Sequence, residues 1–145
     1  MLFRGTLMIL CILHLSAEAR TAFGTDRELP NSTIKPGFPI TVKTDDPGVQ
    51  QAARFGVYRY NNRSNDIFLF RESHISKATL QVVRGLKYTV NVDIGRTVCT
   101  KRTHPDLDRC AFQRNKTLRQ TYSCYFEVWI TPWLHRVQIL ASLCQ

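Results

Sequence analysis

Apolar and polar residues alternate over most of the second half of the chain, and this period of two predicts β-strands. The clearest run spans residues 86–94, where every second residue is apolar and the residues between are polar. Residues 122–130 and 137–143 also carry an apolar residue at every second position. A longer run over residues 67–83 is rich in Phe, Ile and Val but has polar interruptions. Together the four runs predict an antiparallel sheet whose strands are joined by hairpins.

One helix is predicted before the first of these strands. Asp46 and Pro47 are typical of the N-cap and the first position of a helix. Apolar and small residues then recur at spacings of three and four, as on one helix face: Val49, Ala52, Ala53, Gly56, Val57 and Tyr60. Because several of them are small, the helix is expected to lie close against the sheet. The predicted fold class is therefore α+β, with one helix packed on an antiparallel sheet.

The N-terminal part of the chain lacks this periodicity. Residues 1–19 contain one Arg, an apolar run over residues 7–15 and then Ala-Glu-Ala, which is the order of a cleavable secretory signal peptide. A membrane anchor is the alternative, but the apolar run is far shorter than the about 20 residues that a spanning helix needs. We expect residues 20–145 to form one secreted domain. Its residues 20–43 are rich in Pro and predict an extended N-terminal arm.

The chain carries a formal net charge of +9 at pH 7. Its basic residues are interleaved with acids and form no block of five or more, so nucleic-acid binding is not predicted, and a basic surface that favours anionic partners is. Sequence motifs for nucleophilic, phosphate-binding and metal-dependent catalysis are absent. The three histidines outside the signal peptide, His74, His104 and His135, are scattered. The sequence predicts a protein that is not an enzyme and has no cofactor or metal.

Four cysteines lie outside the signal peptide: Cys99, Cys110, Cys124 and Cys144. An even number of cysteines in a secreted chain predicts two disulfides. Three pairings are open, and proximity in sequence favours pairing the first with the second and the third with the fourth. A zinc site of Cys99, His104 and Cys110 is the rival interpretation, but it lacks a C-x₂-C pair and a fourth nearby ligand.

Three Asn-x-Ser/Thr sequons are candidates for glycosylation. They begin at Asn31, Asn62 and Asn115. Each is expected at an exposed position if it carries a glycan, and the alternative is that one or more is never used.

Two predicted turns carry large apolar side chains. The first is Gln81-Val82-Val83-Arg84-Gly85, and the second is Thr131-Pro132-Trp133-Leu134. A tryptophan at a hairpin tip contributes little to folding, because the tip leaves its ring in water. The alternative is that Trp133 folds back onto the sheet. Hairpin pairing brings both tips to the same end of the sheet, where the arm around Gly37 can lie beside them.

These segments resemble the cystatins, which inhibit papain-like cysteine proteases. Residues 81–85 match the Q-x-V-x-G loop of that family. Three further features accompany this loop: Gly37 upstream of the helix, two sequential cysteine pairs, and Pro132-Trp133 in the last hairpin. All of them occur in the order found in secreted type 2 cystatins. The resemblance implies a curved sheet, disulfides Cys99–Cys110 and Cys124–Cys144, and reversible occlusion of the active-site cleft of cathepsins by the arm and two hairpin loops. The protease-binding residues it implies are Gly37, Gln81, Val82, Val83, Arg84, Gly85, Pro132 and Trp133.

A second protease-binding site is implied by the loop after the helix. Some type 2 cystatins also inhibit legumain, an asparagine-specific protease, through an asparagine there, and Ser64-Asn65-Asp66 matches that motif. Asn65 is thus the candidate residue, and an ordinary polar turn is the alternative. A glycan on Asn62 would lie close by. The resemblance implies secretion, with endosomes or lysosomes as a further location.

The chain departs from the family at four positions. Arg84 and Lys35 carry positive charge where many cystatins have small or apolar residues. A leukocyte member of the family forms disulfide-linked dimers through two further cysteines, and the matching positions here are Asp26 and Arg63. We therefore expect a monomer without an intermolecular disulfide. The alternative function is a basic binding or host-defence module with the cystatin fold and without protease inhibition.

Overall fold

Five antiparallel strands and one long helix make up residues 37–145, which are the residues that the computed structural model describes. In chain order the elements are β1 (Ile40–Thr41), α1 (Pro47–Arg63), β2 (Phe68–Val82), β3 (Leu86–Thr100), β4 (Thr121–Thr131) and β5 (Arg136–Cys144). The strands lie in the sheet in the order of the chain, each antiparallel to its neighbour. The predicted α+β fold with one helix on an antiparallel sheet is confirmed.

Part of the predicted organisation lies outside the described residues. This applies to the signal peptide over residues 1–19, to the arm up to residue 36, to the sequon at Asn31 and to Lys35 and Asp26. In the described range, 37–145, no helix is both long enough and apolar enough to cross a membrane.

The helix begins where the sequence predicts it. Asp46 is the N-cap, and its carboxylate accepts hydrogen bonds from the backbone N–H groups of Gly48 (2.8 Å) and Val49 (3.3 Å), which would otherwise lack partners. Pro47 occupies the first helical turn. At the other end, the Ser64 N–H donates to the carbonyl of Tyr60 (2.9 Å) and closes the last turn.

Small residues bring α1 close to the sheet. Gly56 is buried against the ring of Phe126 on β4, and a Cβ at this position would lie 2.2 Å from the Phe126 Cδ2 atom. No larger residue fits there without moving the helix. The core between helix and sheet is apolar, and each large side chain in it contributes about 1.5–3 kcal/mol through burial. Its fully buried members include Val49, Ala52, Ala53, Val57, Phe70, Val90, Ile94, Phe126 and Val128.

Asn61 is a polar residue buried beside this core. Asn61, on the last turn of α1, is 4% exposed. Its side chain donates to the carbonyl of Phe70 (2.9 Å) and accepts from the N–H of Phe70 (2.8 Å). The register of β2 against β3 shifts between Phe68 and Phe70, so Asn61 binds the strand backbone beside an irregularity in the ladder.

Two strand limits differ from the prediction. β3 continues six residues beyond Ile94, because Gly95 packs on the Phe112 ring and buried Thr97 donates to the carbonyl of Leu69 (2.7 Å). These small and polar buried residues break the apolar alternation. β1 was predicted as part of the extended arm, and its two residues pair with β2, Ile40 opposite Leu80.

Candidate functional site

The first hairpin joins β2 to β3 through residues 83–85. Gln81 and Val82 are the last residues of β2, and Val82 pairs with Leu86. Val83 and Arg84 form the exposed tip, where the Val83 N–H donates to the carbonyl of Gly85 (3.0 Å). The tip thus presents one apolar and one cationic side chain to solvent.

Gly85 brings the first hairpin against the second. It is buried, with φ +133°, and a Cβ there would lie 2.8 Å from both the Ile130 carbonyl oxygen and the Trp129 Nε1 atom. Both the backbone conformation and the space require glycine. The last turn of β2–β3 therefore packs directly on the end of β4.

The segment that precedes β1 is held to the same hairpin. The Gly37 N–H donates to the carbonyl of Val82 (3.2 Å), and the Gln81 side-chain amide donates to the carbonyl of Gly37 (2.8 Å). Gly37 has φ +89°, and a Cβ there would meet no atom within 4 Å. Phe38, the next residue, is 66% exposed. Gln81 thus has a structural role, since it fixes the position of Gly37.

The second hairpin carries two large exposed apolar side chains at this end of the sheet. Pro132–Leu134 form a 3₁₀ turn between β4 and β5, and His135 closes it with φ 47°. Trp133 is 65% exposed and Leu134 is 58% exposed. The alternative in which Trp133 folds back onto the sheet is wrong.

A cavity of about 250 Å³ lies between the two hairpins. Trp133 and Arg84 line it, as expected from residues of the two tips. Thr131 and Leu134, which belong to the turn singled out in the sequence, line it as well. So do Trp129 and Arg136. These two lie in strands, where the alternating pattern indicates only pairing, so the sequence held no signal for them beyond their proximity to Trp133.

Charge at this end of the sheet is positive. Glu127 is the nearest acid on β4; its pKa is lowered by a hydrogen bond from Tyr125 and by Lys87, whose Nζ lies 3.3 Å from its carboxylate. Lys87 and Glu127 therefore neutralise each other. Arg84 and Arg136 are exposed, and no carboxylate in residues 37–145 forms an ion pair with either.

Comparison with known proteins identifies the family of this chain. The sequence model of the cystatin domain matches residues 37–133, which start at the Gly37 contact and end at Trp133. The chain belongs to the cystatin family. Membership of this family implies inhibition of cysteine proteases.

Its similarity to individual cystatins extends over nearly the whole chain. It is 51% identical to human cystatin-F over 140 residues, 97% of each chain, and 33% identical to human cystatin-C over 142 residues, 98% of this chain and 95% of that one. The crystal structure of dimeric human cystatin F matches with a TM-score of 0.74 at 54% identity, and the match covers 83% of this chain and 96% of that one.

The loop after the helix of this cystatin lies at the opposite end of β2. Asn65 is exposed there, and its neighbours are held firmly. The Ser64 carbonyl accepts from Lys101 Nζ, the Asp66 carboxylate forms an ion pair with Arg96, and the Asp66 N–H donates to Ser64 Oγ (3.0 Å). β2 is 15 residues long, about 45 Å measured along the chain at about 3.3 Å per residue, and it separates this loop from the hairpin tips.

Both disulfides of this cystatin form as expected, Cys99–Cys110 and Cys124–Cys144. Cys99 and Cys110 are therefore not zinc ligands, and residues 37–145 contain no cluster of three or more His, Cys, Asp or Glu side chains that could hold a metal. His74, His104 and His135 are exposed. The two described sequon asparagines, Asn62 and Asn115, are exposed as well.

Proposed function

We propose that this cystatin is a reversible inhibitor of papain-like cysteine proteases such as cathepsins, and that it occludes their active-site cleft with three segments. These are the segment at Gly37, the hairpin tip at residues 81–85 and the Pro132-Trp133 turn. The hydrogen bonds between Gly37 and the end of β2 carry the proposal, because they hold the first segment beside two apolar tips. Inhibition of this kind requires no nucleophile on the inhibitor.

The exposed apolar side chains support this assignment. Phe38, Val83, Trp133 and Leu134 all lie at one end of a narrow sheet, and each leaves apolar surface in water in the free protein. A partner that covers them gains the hydrophobic contribution without a change in fold. Trp133 is suited to be the central anchor, because large aromatic residues dominate the free energy of many interfaces.

Trp133→Ala tests the proposal. We expect inhibition of papain to weaken by about 2 kcal/mol, roughly 30-fold in the inhibition constant, because an anchor side chain is lost. The melting temperature should hardly change, since the ring is exposed. Titration of active papain with the purified variant measures the first quantity, and thermal unfolding measures the second.

Leu143→Ala is the matched control. Leu143 is 64% exposed, almost the same as Trp133, but it lies at the far end of β5. Its substitution should leave inhibition unchanged. Equal losses for the two variants would contradict the assignment of Trp133. A folded wild-type protein that does not inhibit papain at all would favour the alternative, a basic binding or host-defence module with this fold.

We also propose a second inhibitory site, against legumain, at Asn65. Asn65 is exposed, and the residues on either side of it are held by hydrogen bonds and an ion pair. This supports the proposal, since an asparagine held on a fixed backbone can enter the cleft of an asparagine-specific protease. Asn65→Ala should abolish inhibition of legumain and leave inhibition of papain intact, whereas Trp133→Ala should do the reverse. Loss of both activities in Asn65→Ala would mean that this residue is structural. Removal of a glycan at Asn62 should strengthen inhibition of legumain if the glycan limits access to Asn65.

The N-terminal segment of the sequence suggests the cellular compartment in which the protein acts. We propose that residues 1–19 are cleaved as a signal peptide, that the domain of residues 20–145 is secreted, and that it also reaches endosomes or lysosomes. The exposure of Asn62 and Asn115 supports glycosylation of the secreted protein. Mass spectrometry of the protein secreted by transfected cells, before and after glycosidase treatment, would give both the N-terminus and the occupied asparagines.

A further inference from the structure

A separate cavity, of about 200 Å³, lies where the last turns of α1 meet the start of β2 and the loop that follows β3. One of the residues that line it is Asn62, the exposed first residue of a sequon. Tyr58 lines it from the same helix, and Lys101, His104 and Pro105 line it from the loop. A sugar on Asn62 would therefore be attached at the edge of this cavity.

The helix directs such a sugar toward Tyr58. Tyr58 and Asn62 are four residues apart on α1, so their side chains are neighbours on one helix face. Helical side chains also point toward the N-terminus of their helix, and a group attached to Asn62 is thus directed toward the turn that carries Tyr58. Both side chains line the same cavity, as this spacing predicts.

The lining of the cavity suits a monosaccharide. A sugar ring has apolar C–H groups on its faces and polar hydroxyl and amide groups at its edge, so it needs both kinds of contact. Tyr58, which is 46% exposed, offers a flat apolar ring, and Pro105 adds apolar surface. Lys101 and His104 carry polar nitrogens. The Lys101 ammonium donates one hydrogen bond to the Ser64 carbonyl and has two further N–H groups.

The Tyr58 ring is already held in place on one side. The guanidinium carbon of Arg54 lies 6.0 Å from the centre of the ring, and Arg54 is itself fixed by ion pairs with Glu72 and Asp108. A side chain that is held before a contact forms loses little conformational entropy when the contact is made. The exposed part of the ring is therefore a prepared surface.

We propose that the first N-acetylglucosamine of a glycan on Asn62 packs in this cavity against Tyr58, so that the glycan stabilises the folded domain. The inference rests on the proposed glycosylation of Asn62 and adds a structural role for the sugar. The sugar covers apolar surface of Tyr58 that is in water in the unglycosylated protein. Lys101 and His104 supply hydrogen bonds to its polar groups.

The test uses two proteins that each keep one sequon, with the glycan trimmed by an endoglycosidase to a single N-acetylglucosamine. Asn31→Gln/Asn115→Gln keeps the sugar at Asn62, and Asn31→Gln/Asn62→Gln keeps it at Asn115. Each is compared with the same sequence produced in bacteria without a sugar and with both disulfides formed. We expect the sugar at Asn62 to raise the melting temperature by roughly 3–5 °C, because it adds a packed aromatic contact.

Asn115 is the matched control. It is exposed, its side chain accepts hydrogen bonds from the N–H (3.0 Å) and the hydroxyl (2.8 Å) of Thr117, and residues 113–119 include no aromatic residue. A sugar there should change the melting temperature by less than about 1 °C. An equal gain at both sites would overturn the proposal, since the sugar would then act through the unfolded chain.

Tyr58→Ala identifies the contact. The gain from the sugar at Asn62 should disappear in this variant, whereas Tyr58→Phe keeps the ring and should keep most of the gain. Because the sugar is added within each variant, any effect of the substitution itself on stability cancels. In NMR spectra the acetamide methyl of the sugar should shift upfield, through the ring current, in the wild-type and Tyr58→Phe proteins and not in Tyr58→Ala.

The outcomes distinguish the two proposals. If mass spectrometry finds Asn62 unmodified in the protein secreted by transfected cells, its glycosylation is overturned and this inference with it. If Asn62 is modified and its sugar stabilises Tyr58→Ala as much as the wild-type protein, only the packing against Tyr58 is overturned.

Discussion

Asn61 shows how a single side chain can hold an element in place. It lies on the helix but serves the strand, since it satisfies both the N–H and the carbonyl of Phe70. Its position in the sequence, beside exposed Asn62 and at the end of an amphipathic helix, indicates an ordinary polar helix end. Asn61 is buried and Asn62 is exposed, and this difference depends on the folded structure. It could therefore not be predicted from the sequence.

Asn61→Ala should lower the free energy of unfolding by about 2–4 kcal/mol, because it leaves a buried donor and a buried acceptor of Phe70 without partners. Asn62→Ala, one residue further and exposed, should change it by less than about 0.5 kcal/mol. Urea unfolding of the two variants, expressed without glycans, makes the comparison. Similar values for both would mean that water replaces the Asn61 side chain without loss.

At the scale of elements, the sequence predicts those with a strong period or a clear cap. The helix start follows from Asp46-Pro47, and strict alternation predicts the first nine residues of β3. The prediction fails where burial is polar or pairing is short, as at Thr97 and in β1. The sequence indicates the hairpin tips as a candidate site, because a tryptophan at a tip contributes little to folding. Nothing in the sequence distinguishes Arg136 from other exposed arginines.

One ionic cluster joins three elements. Arg54 on α1 donates to Glu72 on β2 (2.7 Å) and to Asp108 in the 3₁₀ turn at residues 107–109 (2.6 Å). The hydrogen bond from Arg54 holds the pKa of Asp108 below its usual value. A lowered pKa means that the folded state favours the charged carboxylate. The contribution is therefore present above the ordinary Asp pKa of about 3.9 and is lost as pH falls through the lower folded value.

Asp108→Asn should flatten this acid-dependent loss. We expect the wild-type protein to lose stability below about pH 4 more steeply than the variant, with a small difference that shrinks in high salt because Asp108 is largely exposed. Denaturant midpoints measured from pH 6 to pH 2 at low salt test this. Asp45→Asn, an exposed acid without an ion pair in the described part of the chain, is the control. Parallel pH curves for wild type and Asp108→Asn would contradict the role of the cluster.

At the scale of the whole molecule, the disulfides and the proposed protease-binding surface lie at opposite ends of the sheet. Cys99 lies near the end of β3, and the Cys124–Cys144 bond joins the start of β4 to the end of β5. The hairpin tips lie at the other end of the same strands. All four cysteines of residues 37–145 are paired, and Arg63 is exposed.

We therefore expect the protein to be a monomer that inhibits papain without prior reduction. A non-reducing gel and gel filtration should show one chain, and inhibition of papain should be the same before and after mild reductant. Arg63→Cys provides a positive control for crosslinking at that position. A covalent dimer of the wild-type protein that gains activity only on reduction would contradict the expectation.

The Cys99–Cys110 bond would keep the chain joined after proteolytic cleavage in one exposed loop. It closes a ring around residues 100–109, in which Arg102 and Arg109 are exposed to cleavage. A cut after Arg102 would leave two polypeptides that stay covalently joined, and β3 and β4, on either side of the cut, are aligned over ten residue pairs. Both hairpins lie outside this ring. A protein cleaved there would thus remain one covalently joined molecule, and the end that we propose binds the protease would be intact.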